Sequence, residues 1–284
     1  MQSGVIASAA MEQGVRLHVV EKGPADGPLV ILLHGFPEFW GAWRRHMELL
    51  AQAGLRVVAP DQRGYNKSGR PADLAAYGLD RLTEDVVRLA DERGRERFSV
   101  VGHDWGGVVA WRIAAVYPDR VNKLVVINAP HPVAARRYLR RHPTQMARSS
   151  YVLLFQLPAL PERLLRAGNF RLLRQGLLTA RPGTFDDRRI RRYRATWERP
   201  GALGAMLNWY RAEFRSPVSW PDEPVRPPAL LIWGTGDPFL EAGLAEASLN
   251  GCADGRIAWI ENATHWVHHE EPERVTEAIL DHIA

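Results

Sequence analysis

The chain has one cysteine, Cys252, among its 284 residues. No intramolecular disulfide and no cysteine-built metal cluster can form, and such sparing use suits a reducing cytoplasm. Lysine is almost as scarce: Lys22, Lys67 and Lys123 are the three among 37 basic residues, so arginine carries nearly all of the +5 net charge. No apolar run approaches the ~20 residues needed to span a bilayer. Met1 to Gly14 has neither the basic start nor the long apolar centre of a secretory leader. Internal repeats and low-complexity segments are absent. Arginine runs occur at 136–141 and 188–194, with no nucleic-acid-binding motif beside them. They read as solvated helix faces. The expectation is a soluble, cytoplasmic protein with neither nucleic acid nor membrane as partner.

What is present is ordinary globular composition, 46% hydrophobic and 24% charged, and enough length for one α/β domain with an insertion. Val30–Leu33, Leu55–Ala59, Phe98–Val101 and Leu124–Ile127 are short apolar runs. Helical spacing separates them over 43–53, 79–93 and 108–117. Near-continuous apolar strands alternating with helices indicate a parallel sheet covered on both faces. From Pro130 to about Ser216 no strand signal appears, only helical segments interrupted at Pro143, Pro158, Pro182 and Pro200. Strand signals return at Ala229–Trp233 and Ile257–Ile260, and a last helix is expected from Pro272 to Ile283.

After the strand ending at Val101 comes Gly102-His103-Asp104-Trp105-Gly106-Gly107, then a helix. A small residue, a nucleophile two positions on and a glycine two beyond it, between strand and helix, spell a nucleophile elbow. The turn is so sharp that its neighbours must be glycine. The plainer reading of Asp104 is a helix N-cap. As a nucleophile, a carboxylate has a restricted repertoire. Attack on an acyl carbon would give an anhydride, whereas attack on an sp3 carbon bearing a leaving group gives a hydrolysable ester. Epoxides and alkyl halides fit; ester and peptide substrates do not.

The loop His34-Gly35-Phe36-Pro37 follows an early strand, where an oxyanion-hole N–H is expected from Phe36, with the other from Trp105. His265, just after the last strand, is the expected general base; His268 and His269 compete but lie nearer the final helix. Asp237, in Gly234-Thr235-Gly236-Asp237, is the expected acid that orients it, a turn aspartate being the alternative. The other acid position, after Ile127, holds Asn128.

With these residues in view, the sequence resembles the epoxide hydrolases of the α/β-hydrolase superfamily, over nearly its whole length. The resemblance rests on 34–38, on Asp61-Gln62-Arg63-Gly64-Tyr65, on the elbow, on Asn128-Ala129-Pro130-His131-Pro132, and on the segments around Asp237 and His265. Haloalkane dehalogenases share these motifs. The insertion distinguishes them: Tyr151-Val152-Leu153-Leu154-Phe155-Gln156 and Asn208-Trp209-Tyr210-Arg211 match the family's two cap stretches. The resemblance thereby implies that Tyr151 and Tyr210 activate the epoxide oxygen. Dehalogenases often place asparagine where Phe36 stands, and fluoroacetate dehalogenases arginine where Trp105 stands. Asn66 replaces a frequent glycine, and asparagine tolerates the left-handed conformation.

The fold expected is thus an α/β-hydrolase fold, a mostly parallel sheet flanked by helices with a helical cap inserted after the sixth core strand. Residues 1–130 and 217–284 would form the core and 131–216 the cap. Phe39, Leu154, Phe155, Met206, Phe239 and Trp266 are expected to line an apolar cleft for an apolar epoxide. No metal and no organic cofactor is implied. The rivals are a dehalogenase using the same aspartate and a non-catalytic ligand-binding protein on the same fold.

Overall fold

The apolar runs assemble into one sheet. The computed structural model describes residues 5–10, for the course of the backbone, and 15–284; the remainder of the Met1–Gly14 stretch lies outside the described residues. Strands β1 (Val5–Ala10), β2 (Arg16–Lys22), β3 (Leu29–Leu33), β4 (Arg56–Pro60), β5 (Phe98–His103), β6 (Val121–Ile127), β7 (Ala229–Gly234) and β8 (Gly255–Ile260) lie in the order β1-β2-β4-β3-β5-β6-β7-β8. β1 and β2 pair antiparallel, as do β2 and β4, and every later pairing is parallel. These first two strands precede the earliest one read from the sequence, because neither is a continuous apolar run.

Side chains alternate across the sheet with a period of two. Leu29, Ile31 and Leu33 join one core cluster while Val30 and Leu32 join the other. Helices α1 (Arg44–Gln52), α2 (Leu79–Asp91) and α3 (Trp105–Val116) connect the strands of the first half. α1 covers one face through Met47 and Leu50. α2 and α3 cover the opposite face through Val86, Leu89, Val109 and Ile113. Asn66 adopts φ +41° and donates to Asp61 Oδ2 at 2.8 Å.

Between β6 and β7 the chain is helical: α4 (Pro132–Leu139), α5 (Pro143–Arg148), α6 (Tyr151–Phe155), α7 (Leu160–Leu177), α8 (Asp187–Trp197) and α9 (Ala202–Arg215). Helix α7 is broken inside by Gly168, Asn169 and Phe170, all left-handed at φ +57°, +57° and +59°. The carboxyl-terminal part of the chain adds α10 (Gly243–Leu249), α11 (Val267–Glu270) and α12 (Pro272–Ile283), of which α12 packs beside α1 through Val275 and Ile279. Among the described residues, no helix is long and apolar enough to cross a membrane.

The helical segment is pinned to the sheet loops by buried donors. Trp197 Nε1 donates to the Pro37 carbonyl at 2.7 Å, and Trp209 Nε1 to the Arg63 carbonyl at 2.9 Å. Arg63 itself is 2% exposed and grips Asp85 with two hydrogen bonds of 2.8 and 2.6 Å. Burial pushes the Asp85 carboxyl up, and Arg63 is what opposes that. Removing one partner of a buried pair strands the other charge. Arg63→Met is therefore expected to cost about 3–5 kcal/mol of stability in urea unfolding, and Arg63→Met combined with Asp85→Leu to restore most of it. A single-variant cost below ~1 kcal/mol, the range of exposed pairs, would contradict this account.

Candidate active site

Four loops leave the carboxyl ends of parallel strands on one edge of the sheet, where ligands of open α/β folds bind. The sharpest of these turns carries Asp104, with φ +49° and ψ −121°. No L-residue adopts that conformation without cost, of the order of 1–3 kcal/mol. Close packing on all sides enforces it. A Cβ on Gly106 would lie 2.1 Å from the Leu33 carbonyl oxygen, and one on Gly102 would lie 2.2 Å from that of Gly106. On the other side, a Cβ at Gly35 would meet the Asp104 Cβ at 2.4 Å. The elbow therefore projects the Asp104 carboxylate away from the sheet, at the N-terminus of α3.

Phe36, on the loop after β3, donates its backbone N–H to Asp104 Oδ1 at 2.8 Å. Trp105 opens α3, so its N–H has no partner within the helix and is a free first-turn donor. The loop after β3 is braced by the next one: the Gln62 N–H donates to His34 Nε2 at 3.1 Å, and Gln62 Nε2 to the His34 carbonyl at 2.6 Å.

His265 follows β8 and presents Nε2 to Asp104 Oδ2 at 3.7 Å, with Nδ1 2.8 Å from Asp237 Oδ2. Asp237 also accepts from Asn128 Nδ2 at 2.7 Å and from the backbone N–H groups of Phe239 and Leu240 at 2.7 and 3.0 Å. Four donors thus hold it as an oriented anion. Burial alone would lower the His265 pKa. The charge of Asp237 and its hydrogen bond, then the charges of Asp104 and Glu38, overcome burial and raise it to about 9.

Across a cavity of about 310 Å³ from Asp104 stand Tyr151, on α6, and Tyr210, on α9. Their rings lie 6.4 Å apart, and Tyr210 meets Trp105 edge-on at 5.0 Å and Phe36 at 5.4 Å. Tyr151 is 37% exposed and lines the cavity. Its hydroxyl is nevertheless enclosed: burial, then the charges of Asp104 and Asp237, raise its pKa, and the Tyr210 hydroxyl pulls it back in part. Tyr210 is also raised well above its ordinary value, by burial and then by Tyr151 and Asp104. Both phenols therefore hold their protons at neutral pH and can donate them.

Leu154, Phe155, Phe239 and Trp266 line the same cavity, as expected. Two expected lining residues do not. Phe39 faces the other way, stacking edge-on against Tyr193 at 5.2 Å beside a separate cleft lined by His268 and His269. Met206 is 2% exposed and packed into the core under α9, away from the cavity. Glu38 and His103 lie within the 34–38 and 102–107 motifs, whose glycine and proline spacing gives no sign of a role for these two side chains.

Glu38 is buried behind the site. It accepts from Tyr193 Oη at 3.0 Å and contacts His269 Nε2 at 2.8 Å and His103 Nδ1 at 2.9 Å. Burial would raise its pKa, but the charge of His268 and the hydrogen bonds of His103, His268 and His269 hold it well below the usual carboxylate range. His103 Nε2 in turn contacts the His265 carbonyl at 2.9 Å. Burial drives His103 down to about 4, yet both its nitrogens face acceptors. A neutral imidazole carries one N–H, so His103 can donate to only one of these two acceptors at a time.

A family model described as alpha/beta hydrolase fold matches residues 28–272. The chain belongs to the α/β-hydrolase family. It is 41% identical over 281 residues to the AB hydrolase superfamily protein YfhM of Bacillus subtilis, covering 99% of this chain and 98% of that one. To Epoxide hydrolase 4 of Mus musculus it is 36% identical over 277 residues, 94% of this chain and 76% of that one. Among solved structures, an epoxide hydrolase from hot-environment metagenomes superposes with TM-score 0.88 at 32% identity, covering 100% of this chain and 99% of that one.

The placement of His265 between two carboxylates makes its proton depend on both. Asp104→Asn removes one charge while preserving shape. The His265 pKa, followed by imidazole NMR, is expected to fall from about 9 toward the ordinary 6.5. An unchanged pKa would mean that Asp104 and His265 do not interact.

Proposed function

We propose that this α/β-hydrolase is an epoxide hydrolase that converts apolar epoxides to diols through an ester on Asp104. The observation that carries the proposal is a carboxylate at the elbow facing two protonated phenols across an apolar cavity. The family resemblance and the relatives named as epoxide hydrolases support the same chemistry. Residues 131–216 serve as the cap that brings the phenols over the nucleophile, with residues 1–130 and 217–284 as the core. The single cysteine, a thiol that burial pushes up to about 11, fits a cytoplasmic enzyme clearing reactive electrophiles.

Asp104 attacks one epoxide carbon. The C–O bond breaks, and the oxygen takes the proton of Tyr151 or Tyr210, leaving an ester and a phenolate. In the resting site His265 is an imidazolium below pH about 9, facing the Asp104 carboxylate. Once the ester forms, that anion is gone, and His265 gives its proton to the phenolate through solvent in the cavity. Now neutral, His265 takes a proton from water as the hydroxide attacks the Asp104 carbonyl carbon. The N–H groups of Phe36 and Trp105 receive the resulting oxyanion. Collapse expels the diol oxygen, which takes the imidazolium proton, and the new Asp104 acid re-protonates His265. The balance is epoxide plus water to diol, and the scheme calls on no metal or cofactor.

His265→Ala removes the base for the second step and leaves the first. Incubated with styrene oxide, that variant is expected to gain one substrate mass on the intact chain. A folded variant with no adduct would count against the covalent route. With the unaltered chain, diol from styrene oxide without bromide from 1-bromobutane is expected, and bromide without diol would favour a dehalogenase. Replacing both Tyr151 and Tyr210 by phenylalanine is expected to lower kcat by ~10²–10⁴-fold, the range of general acid catalysis.

A further inference from the structure

The segment that forms the cavity mouth is unlike the rest of the surface. From His131 to Phe185 the sequence holds ten arginines and one acidic residue, Glu162. Glu162 is already taken by Arg211, at 2.7 Å. Arg163, Arg166, Arg171 and Arg174 on α7 make no ion pair with any described residue. Between and before them stand exposed leucines: Leu153 at 61%, Leu157 and Leu160 at 44%, and Leu172 at 48%. Exposed apolar side chains this close together usually mark a contact surface. Leu154, Leu164 and Leu172 belong to this surface and also line the active-site cavity, so the apolar rim runs without interruption into the site.

We propose that the α6–α7 rim docks this protein onto the surface of an anionic phospholipid bilayer, so that an apolar epoxide passes from the lipid into the cavity. The charge pattern selects this occupant. Arginine side chains flanking an apolar rim are drawn to anionic headgroups while the leucines enter the acyl boundary. A second copy of the chain packed on the same rim would bring four unneutralised arginines against four more. The expectation of no membrane partner rested on the lack of a spanning segment and on the arginine runs at 136–141 and 188–194 reading as solvated faces; neither bears on peripheral contact through α6 and α7. The purpose of the docking rests on the proposed apolar substrate; the docking itself does not.

Flotation of the full chain with vesicles tests it without any turnover. Binding to phosphatidylcholine vesicles containing phosphatidylglycerol is expected, with little on phosphatidylcholine alone and with loss of binding as salt rises. Leu153→Ser with Leu160→Ser, at positions outside the cavity lining, should weaken binding while leaving turnover of a water-soluble epoxide unchanged. Arg163→Gln with Arg166→Gln should weaken it on the order of five-fold for each arginine removed. Equal binding to neutral and anionic vesicles, or none to either, overturns the proposal. So does a sedimentation result in which the chain is a dimer that the leucine pair dissociates, since the rim would then be a subunit contact. A dead enzyme that still floats with anionic vesicles would refute the proposed reaction and leave the docking standing.

Discussion

An aspartate held in a conformation it would not choose is the constraint on which the rest of this site depends. The backbone of Asp104 is fixed at φ +49° because Gly102, Gly106 and Gly35 bring carbonyls and the Asp104 Cβ closer than any side chain would allow. That packing couples two strands and a helix. β3 supplies the carbonyl against which Gly106 lies, β5 ends at the elbow, and α3 begins one residue later. Once the elbow is formed, the carboxylate can point only toward the strand edge, and the Phe36 N–H, His265 and the phenols are arranged around that direction.

Two other carboxylates, Asp237 and Glu38, act on His265 from opposite sides and by different means. Asp237 touches the imidazole directly and fixes which nitrogen faces Asp104. Glu38 reaches the same residue through the backbone, by way of His103, while also holding Tyr193 of α8. One buried side chain therefore ties the loop after β3, the elbow, the loop carrying His265 and the helical segment together.

The alternating pattern of strands and helices was legible because parallel strands are buried on both faces and so read as apolar runs. Strand β2 was not, because Arg16, His18 and Lys22 interrupt its apolar residues near the sheet edge. The elbow and the loops after β3, β7 and β8 were legible because tight backbone geometry leaves glycine and proline at fixed spacings. The roles of Asn128 and Glu38 were not, since they depend on contacts 109 and 65 residues away in sequence. Phe39 was misplaced for a related reason. Proximity to the oxyanion loop in sequence does not reveal on which side of that loop a ring will lie, and it packs against α8 instead.

The left-handed break at Gly168, Asn169 and Phe170 divides α7 into two pieces, each far shorter than the ~12–15 residues an isolated helix needs to persist in water. Neither piece propagates order to the other through continuous hydrogen bonding. Each depends on its own few anchors, Leu165 before the break and Leu173 and Leu177 after it, with Phe170 tilted against Trp197 between them. Cooperativity is thus interrupted within a wall of the cavity. The order of this cavity wall therefore rests on side-chain packing at each half and not on one continuous helical ladder.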